Sequence, residues 1–168
     1  MTCVKDAFRW VEHNLAILER YRGRGAGKHI AKRLSNLTVS SSFSGVGGAE
    51  NALNAITKGV CHFYGEVQAP VNEWACEWFD ESRYGLRMIE KSPWHVFSDI
   101  TDFIAMGHRL ELRELGAQMS FDALARLFMR SKGLVVDAAD CTCCGKMCKV
   151  RSCELHVAGT HCVAWSIR

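Results

Sequence analysis

Four short stretches of this chain combine turn-forming residues with side chains able to hold a ligand or attack one. The first is Phe43-Ser44-Gly45-Val46-Gly47-Gly48. Glycines here allow positive φ and let a ligand approach the backbone closely. A helix starting just after them would present free N–H groups to a carboxylate. The same pattern also occurs as a plain turn. The second stretch is Glu77-Trp78. An acid at a strand end can accept hydrogen bonds from both hydroxyls of a ribose, and the indole can cover an adenine; the bland alternative for Trp78 is a core tryptophan. The third is Ser98-Asp99-Ile100-Thr101, where Asp99 can take an adenine amino group with Ile100 on the ring, or simply cap a helix. The fourth is Gly159-Thr160-His161-Cys162. A cysteine just past a strand is where a nucleophilic thiolate stands on a parallel sheet.

The elements that must position these residues follow from periodicity. Val4, Phe8, Val11, Leu15 and Leu18 mark one face of a helix that should end near Gly23 and Gly25. Arg20, Arg22, Arg24, Lys28, Lys32 and Arg33 then read as a solvated basic linker, with a phosphate-contacting segment as the sharper alternative. Leu37–Phe43 reads as a first strand, followed by a helix from Ala49 that Gly59 should stop. Val71–Trp78 is a second strand, Glu81–Glu90 a helix, and Trp94–Ser98 a third strand. Phe103, Met106 and Leu110 mark one helical face, and Phe121, Leu124 and Phe128 another, which Gly133 should terminate. Leu155–Gly159 is a fourth strand that delivers Cys162. The pattern predicts an α/β fold, a parallel sheet in the order three, two, one, four, with helices on both faces and the unusual residues on one rim.

Taken in order, these stretches resemble the DNA cytosine-5 methyltransferase family. The family's first motif is matched by Ser41-Ser42-Phe43-Ser44-Gly45-Val46-Gly47-Gly48, its glutamate-tryptophan pair by Glu77-Trp78, its third motif by Ser98-Asp99-Ile100-Thr101, and its nucleophile motif by Gly159 to Ser166. The resemblance implies a Rossmann-like S-adenosylmethionine-dependent methyltransferase sheet, truncated after the fourth strand. It makes residues 1–35 an N-terminal helix and basic linker, and 36–168 a partial catalytic domain. By the same resemblance, Phe43, Ser44, Gly45, Val46 and Gly47 contact S-adenosylmethionine, Glu77 holds the ribose, Trp78 and Ile100 the adenine, and Asp99 its amino group. Cys162 becomes the nucleophile that adds to C6 of a flipped cytosine, so that C5 can accept the methyl group. DNA is the implied partner, a second chain completing the fold is possible, and the location is intracellular, nuclear if eukaryotic.

Three departures stand out. Ser41 occupies the position of the family's aspartate, and His161 that of the proline before the nucleophile. The 168 residues also contain no counterpart of the family's ring-protonating glutamate, arginine motif or target-recognition region. The chain alone is therefore expected to be inactive; the alternative reading is a remnant or fragment that binds a cofactor or partner.

The formal charge of +3 permits a nucleic-acid partner without arguing for one. An apolar fraction of 48% with two prolines makes a folded globular chain the expectation over a disordered one. No apolar run is long enough for a membrane span, and no secretory signal is visible. Nine cysteines without such a signal suggest thiols or metal ligands in a reducing compartment. Cys141 and Cys144 have the spacing that lets two thiolates grip one zinc, but a second clean pair is missing. With Cys143, Cys148 and Cys153 they are expected to be free thiols in an exposed hairpin, and no metal ligand is assigned. A zinc-stabilised nucleic-acid-binding module remains a third reading.

Overall fold

The computed structural model describes residues 9–23, 25–43, 45–130 and 133–159. The elements are α1 (Trp10–Arg22), α2 (Ala26–Leu34), β1 (Thr38–Ser42), α3 (Gly48–Tyr64), β2 (Val71–Cys76), α4 (Asp80–Met88), β3 (His95–Phe97), a 3-10 turn (Ile100–Phe103), α5 (Met106–Gln118), α6 (Phe121–Arg130), β4 (Ala138–Cys141), β5 (Lys146–Lys149) and β6 (Leu155–Ala158). They form an α/β fold around one mixed sheet in the order β5-β4-β3-β2-β1-β6. The run β3-β2-β1-β6 is parallel, which is the expected order of the first four strands. The sheet is not wholly parallel, however. The β4–β5 hairpin adds to the free edge of β3 in the antiparallel sense. A hairpin needs only a short turn, whereas another parallel strand would need a long crossover.

Period-two alternation assigns the two faces. On one face Ala75 and Val96 are closed by Leu86 of α4 and by Ile89. On the other, Trp74, Cys76 and Phe97 pack with Phe103, Ala139, Cys141 and Cys148. Trp74, Phe97 and Phe103 meet edge to face with centroids 5.2–6.1 Å apart, a geometry that favours the ring quadrupoles. The indole N–H of Trp74 donates to the Arg151 carbonyl at 2.8 Å. This second face is thus closed by a 3-10 turn and extended chain. Phe103, Met106 and Leu110 do not share a helical face: Phe103 is buried, while Met106 and Leu110 on α5 are exposed. The break arises because Ile104 pairs with Val135 as an isolated bridge. That bridge forms the neck from which α5 and α6 extend.

Two other expectations change for long-range reasons. The glycine-rich basic stretch forms α2 instead of a linker. The Glu19 carboxylate of α1 accepts the N–H groups of Gly25 (2.9 Å) and Gly27 (2.7 Å), and the Tyr64 hydroxyl (2.6 Å). It therefore acts as an N-terminal cap from another helix. The Tyr64 hydroxyl and the two amides lower the Glu19 pKa, and the shared proton pushes Tyr64 up to about 12. Lys28, Lys32 and Arg33 point to solvent from the outer face of α2, and Leu34 packs inward with Val11, Leu15 and Val60.

Gly59, expected as a helix stop, lies inside α3, which continues to Tyr64 and ends at Gly65 with φ +84°. A Cβ at Gly59 would lie 2.6 Å from Cγ1 of Val11, so this glycine sets the approach of α1 to α3. Gly59→Ala gains about 1 kcal/mol of helix propensity. It also forces a branched, buried neighbour aside, an overpacking penalty of about 1–3 kcal/mol. Urea unfolding should therefore give a lower midpoint for Gly59→Ala, with recovery in Gly59→Ala/Val11→Ala. A higher midpoint for the single variant would contradict the packing assigned to this crossing.

Candidate functional site

The parallel strands end on one rim. Ser42 of β1 pairs with Cys76 of β2 and Ala158 of β6, and Cys76 pairs with Phe97 of β3. The residues after these strands (Phe43, Glu77, Ser98 and Gly159) therefore emerge side by side. This is where open α/β sheets hold ligands.

At the centre, Phe43 has φ +58°. For a bulky residue this conformation is strained, by about 1–3 kcal/mol. It is fixed from both sides: its N–H donates to the Cys76 carbonyl at 3.0 Å, and Gly159 crosses its carbonyl. A Cβ at Gly159 would come within 2.5 Å of the Phe43 oxygen. Only glycine allows the end of β6 to lie so close to the turn. Cys162 follows three residues later and, like Ser44, lies outside the described residues.

The glycine turn and the β2 acid are in direct contact. Gly45 N–H donates to Glu77 Oε2 at 2.9 Å, and Trp78 N–H donates to Oε1 at 3.0 Å. A carboxylate has about four acceptor positions, so two protein donors leave room for further hydroxyls. Trp78 is 60% exposed, whereas Trp74 is the tryptophan of the core. The core alternative for Trp78 is thereby removed. Arg83 of α4 locks this corner. Its guanidinium donates to the Glu77 carbonyl at 2.8 Å, to the Trp78 carbonyl and to Asp80. An arginine inside a charged helical segment reads from sequence as solvated, so nothing marked Arg83 in advance.

Asp99 accepts Thr101 N–H through Oδ1 at 2.7 Å, capping the 3-10 turn. The cap alternative is therefore real, and the second oxygen retains its acceptor capacity. Ile100 packs against the aromatic core. Burial first, then the charges of Asp99, Glu77 and Asp102, opposed by that of Arg83, push the Cys76 thiol up to about 12. Cys76 is thus an inert thiol. Val46 leans on α4, where a Cβ at Gly85 would meet its Cγ1 at 2.9 Å. Gly47, at φ +90°, leaves space for Ile89 and Leu86. These two contacts are packing functions of the turn.

Glu50 was not singled out from sequence. It is 2% exposed on α3, and its Oε1 receives the hydroxyl of fully buried Ser41. Its Oε2 has no hydrogen-bond partner among the described residues and lies 3.6 Å from the Cβ position of Gly47. A carboxylate therefore stands beneath the glycine turn, contributed by α3 instead of β1. Its signal was a glutamate in the first turn of the helix that follows the glycines.

No protein-family model matches the chain, and no curated protein matches it.

Ser41→Asp would place a second carboxylate against Glu50 in a buried site. An uncompensated buried charge destabilises by about 3–5 kcal/mol. Ser41→Asp should unfold at a markedly lower urea concentration, and Ser41→Asp/Glu50→Ser should recover most of the loss. A Ser41→Asp chain as stable as wild type would remove Glu50 from beneath the turn.

Proposed function

We propose that the rim binds S-adenosylmethionine and that the chain carries the cofactor-binding, nucleophile-bearing part of a DNA cytosine-5 methyltransferase. In this reading the mixed sheet is a Rossmann-like methyltransferase sheet, with β3-β2-β1-β6 as its ligand-holding part and the β4–β5 hairpin as an addition. The observation that carries it is the contact of Glu77 with Gly45. Two motifs 32 residues apart meet at the carboxyl end of adjacent parallel strands.

The residues present fit the ligand. Glu77 has acceptor capacity for two ribose hydroxyls, Trp78 offers an exposed indole for the adenine, and Asp99 offers an oxygen to its amino group. Phe43, Gly45, Val46 and Gly47 form the wall along the amino-acid end; Ser44, expected beside them, lies outside the described residues. The carboxylates of Glu77 and Asp99 at the rim suit the positive charge on sulfonium and ammonium. The cofactor supplies an activated methyl group. Cys162 is the proposed nucleophile toward a cytosine of DNA, and the proximity of Gly159 to Phe43 supports its origin at this rim. Glu50 takes the place of the acid that Ser41 lacks.

Calorimetric titration with S-adenosylmethionine tests the reading. Charge-assisted hydrogen bonds contribute about 1.5–3 kcal/mol each, so losing two should weaken binding at least about 100-fold. Glu77→Ala should show that loss while retaining a cooperative thermal transition, and Glu66→Ala should bind like wild type. Equal affinity of folded Glu77→Ala and wild type would reject the site.

A further inference from the structure

The side of the sheet where the β4–β5 hairpin joins β3 gathers a different set of side chains. His95 opens β3, Cys141 closes β4, Cys144 lies in the turn and Cys148 lies on β5. Their ligand atoms all fall within 4.8 Å of one another. His95 Nδ1 lies 3.8 Å from Cys141 Sγ and 3.6 Å from Cys144 Sγ. Tetrahedral zinc binds sulfur at about 2.3 Å and imidazole nitrogen at about 2.0–2.1 Å, so neighbouring ligand atoms stand about 3.5–3.8 Å apart.

Sheet register explains why these residues converge. Phe97 pairs with Cys141, and Ala139 with Cys148. Alternation then puts His95, Cys141 and Cys148 on the same face. Gly145, at φ +64°, turns the chain so that its N–H reaches the Cys141 carbonyl at 2.9 Å, which brings Cys144 back over the group. Cys141 and Cys148 are buried, His95 is half-buried and Cys144 is exposed, leaving a side from which an ion can enter. Cys143 Sγ touches the group, 3.2 Å from Cys141 Sγ and 3.9 Å from Cys144 Sγ, but its thiol also donates to the Trp94 carbonyl at 3.5 Å, and it is not among the four residues whose ligand atoms all lie within 4.8 Å of one another.

We infer that His95, Cys141, Cys144 and Cys148 form a structural zinc site that pins the β4–β5 hairpin to β3. Three sulfur ligands and one imidazole select zinc over magnesium or calcium, which prefer oxygen. Four protein ligands leave no open position for substrate, so the role is structural. Each cysteine gives its thiol proton to solvent as its sulfur bonds the metal. The need for such a crosslink is local. β3 has three residues and joins β4 through one paired position, Phe97 with Cys141. Further support comes from Thr142, whose N–H and hydroxyl both donate to the Val96 carbonyl at 2.8 Å. The metal would tie four separate backbone positions together at this edge, with His95 two residues before the end of β3 and four before Asp99.

The test uses the full chain and zinc alone, so its outcome is independent of cofactor binding. After reduction, incubation with zinc and removal of excess metal, wild type should retain one zinc per chain. Cys144→Ser, at an exposed position, should lose most of it while keeping its far-UV dichroism, and Cys143→Ser should retain it. Cobalt in place of zinc should give the strong visible bands of a tetrahedral site and a near-ultraviolet thiolate band. In Cys144→Ser at saturating cobalt that band should fall by about a third, as three thiolates become two. A wild-type chain that retains no stoichiometric zinc overturns the inference. So does loss of zinc in Cys143→Ser with retention in Cys144→Ser.

Discussion

The parallel register of β1 with β2, Ser42 opposite Cys76, is the constraint on which the rim depends. It sends the chain out of both strands at one level. The glycine turn after β1 and the acid after β2 then have to meet, and Gly45 donates to Glu77 as a result. Neighbouring features reinforce that level. Phe43 in its left-handed conformation turns the chain immediately, Gly159 lies against its carbonyl, and Arg83 holds the two carbonyls that follow β2. A one-residue slip would reverse every side chain between faces. It would bury Ser40 and Ser42 against α4 and remove Ser41 from Glu50. Register, core and rim are therefore one property of the fold.

The two faces of the sheet do different work. The face toward α3 and α4 is closed by aliphatic contacts and by the Ser41–Glu50 pair. The aromatic face is closed by Trp74, Phe97 and Phe103, and extends into the β4–β5 hairpin through Ala139, Cys141 and Cys148. His156 on β6 joins this face, its ring against Trp74 and its Nδ1 2.8 Å from Ser40 Oγ; burial lowers its pKa and favours the neutral ring. Among the described residues, no helix is long and apolar enough to cross a membrane.

Much of this arrangement was legible locally. Hydroxyl and β-branched residues at 38–42, glycines at 45–48 and the acids at 77 and 99 marked the strands and their shared rim, because each signal lies within a few residues of the element it ends. What was hidden depends on distant partners. Residues 26–34 read as a linker because the cap of α2 is Glu19 from the preceding helix. Gly59 read as a stop because Val11, which needs its missing side chain, is 48 positions away. Most of the interval between the glycines and Glu77 is taken up by α3, which continues past Gly59 to Tyr64. Trp74 and Trp78 are alike in sequence, and the strand end separates a core indole from an exposed one. His95 gave no sign of its cysteine neighbours, since only the antiparallel addition of the hairpin to β3 brings them together.

We propose that the carboxyl rim, levelled by the parallel register of β1 and β2, is the binding surface for S-adenosylmethionine. A crystal structure with S-adenosylhomocysteine tests it most directly. The account predicts both ribose hydroxyls on the Glu77 carboxylate, the adenine against Trp78 and its amino group at Asp99. Ligand density away from the carboxyl rim, or a saturating ligand concentration that leaves the rim empty, would contradict it.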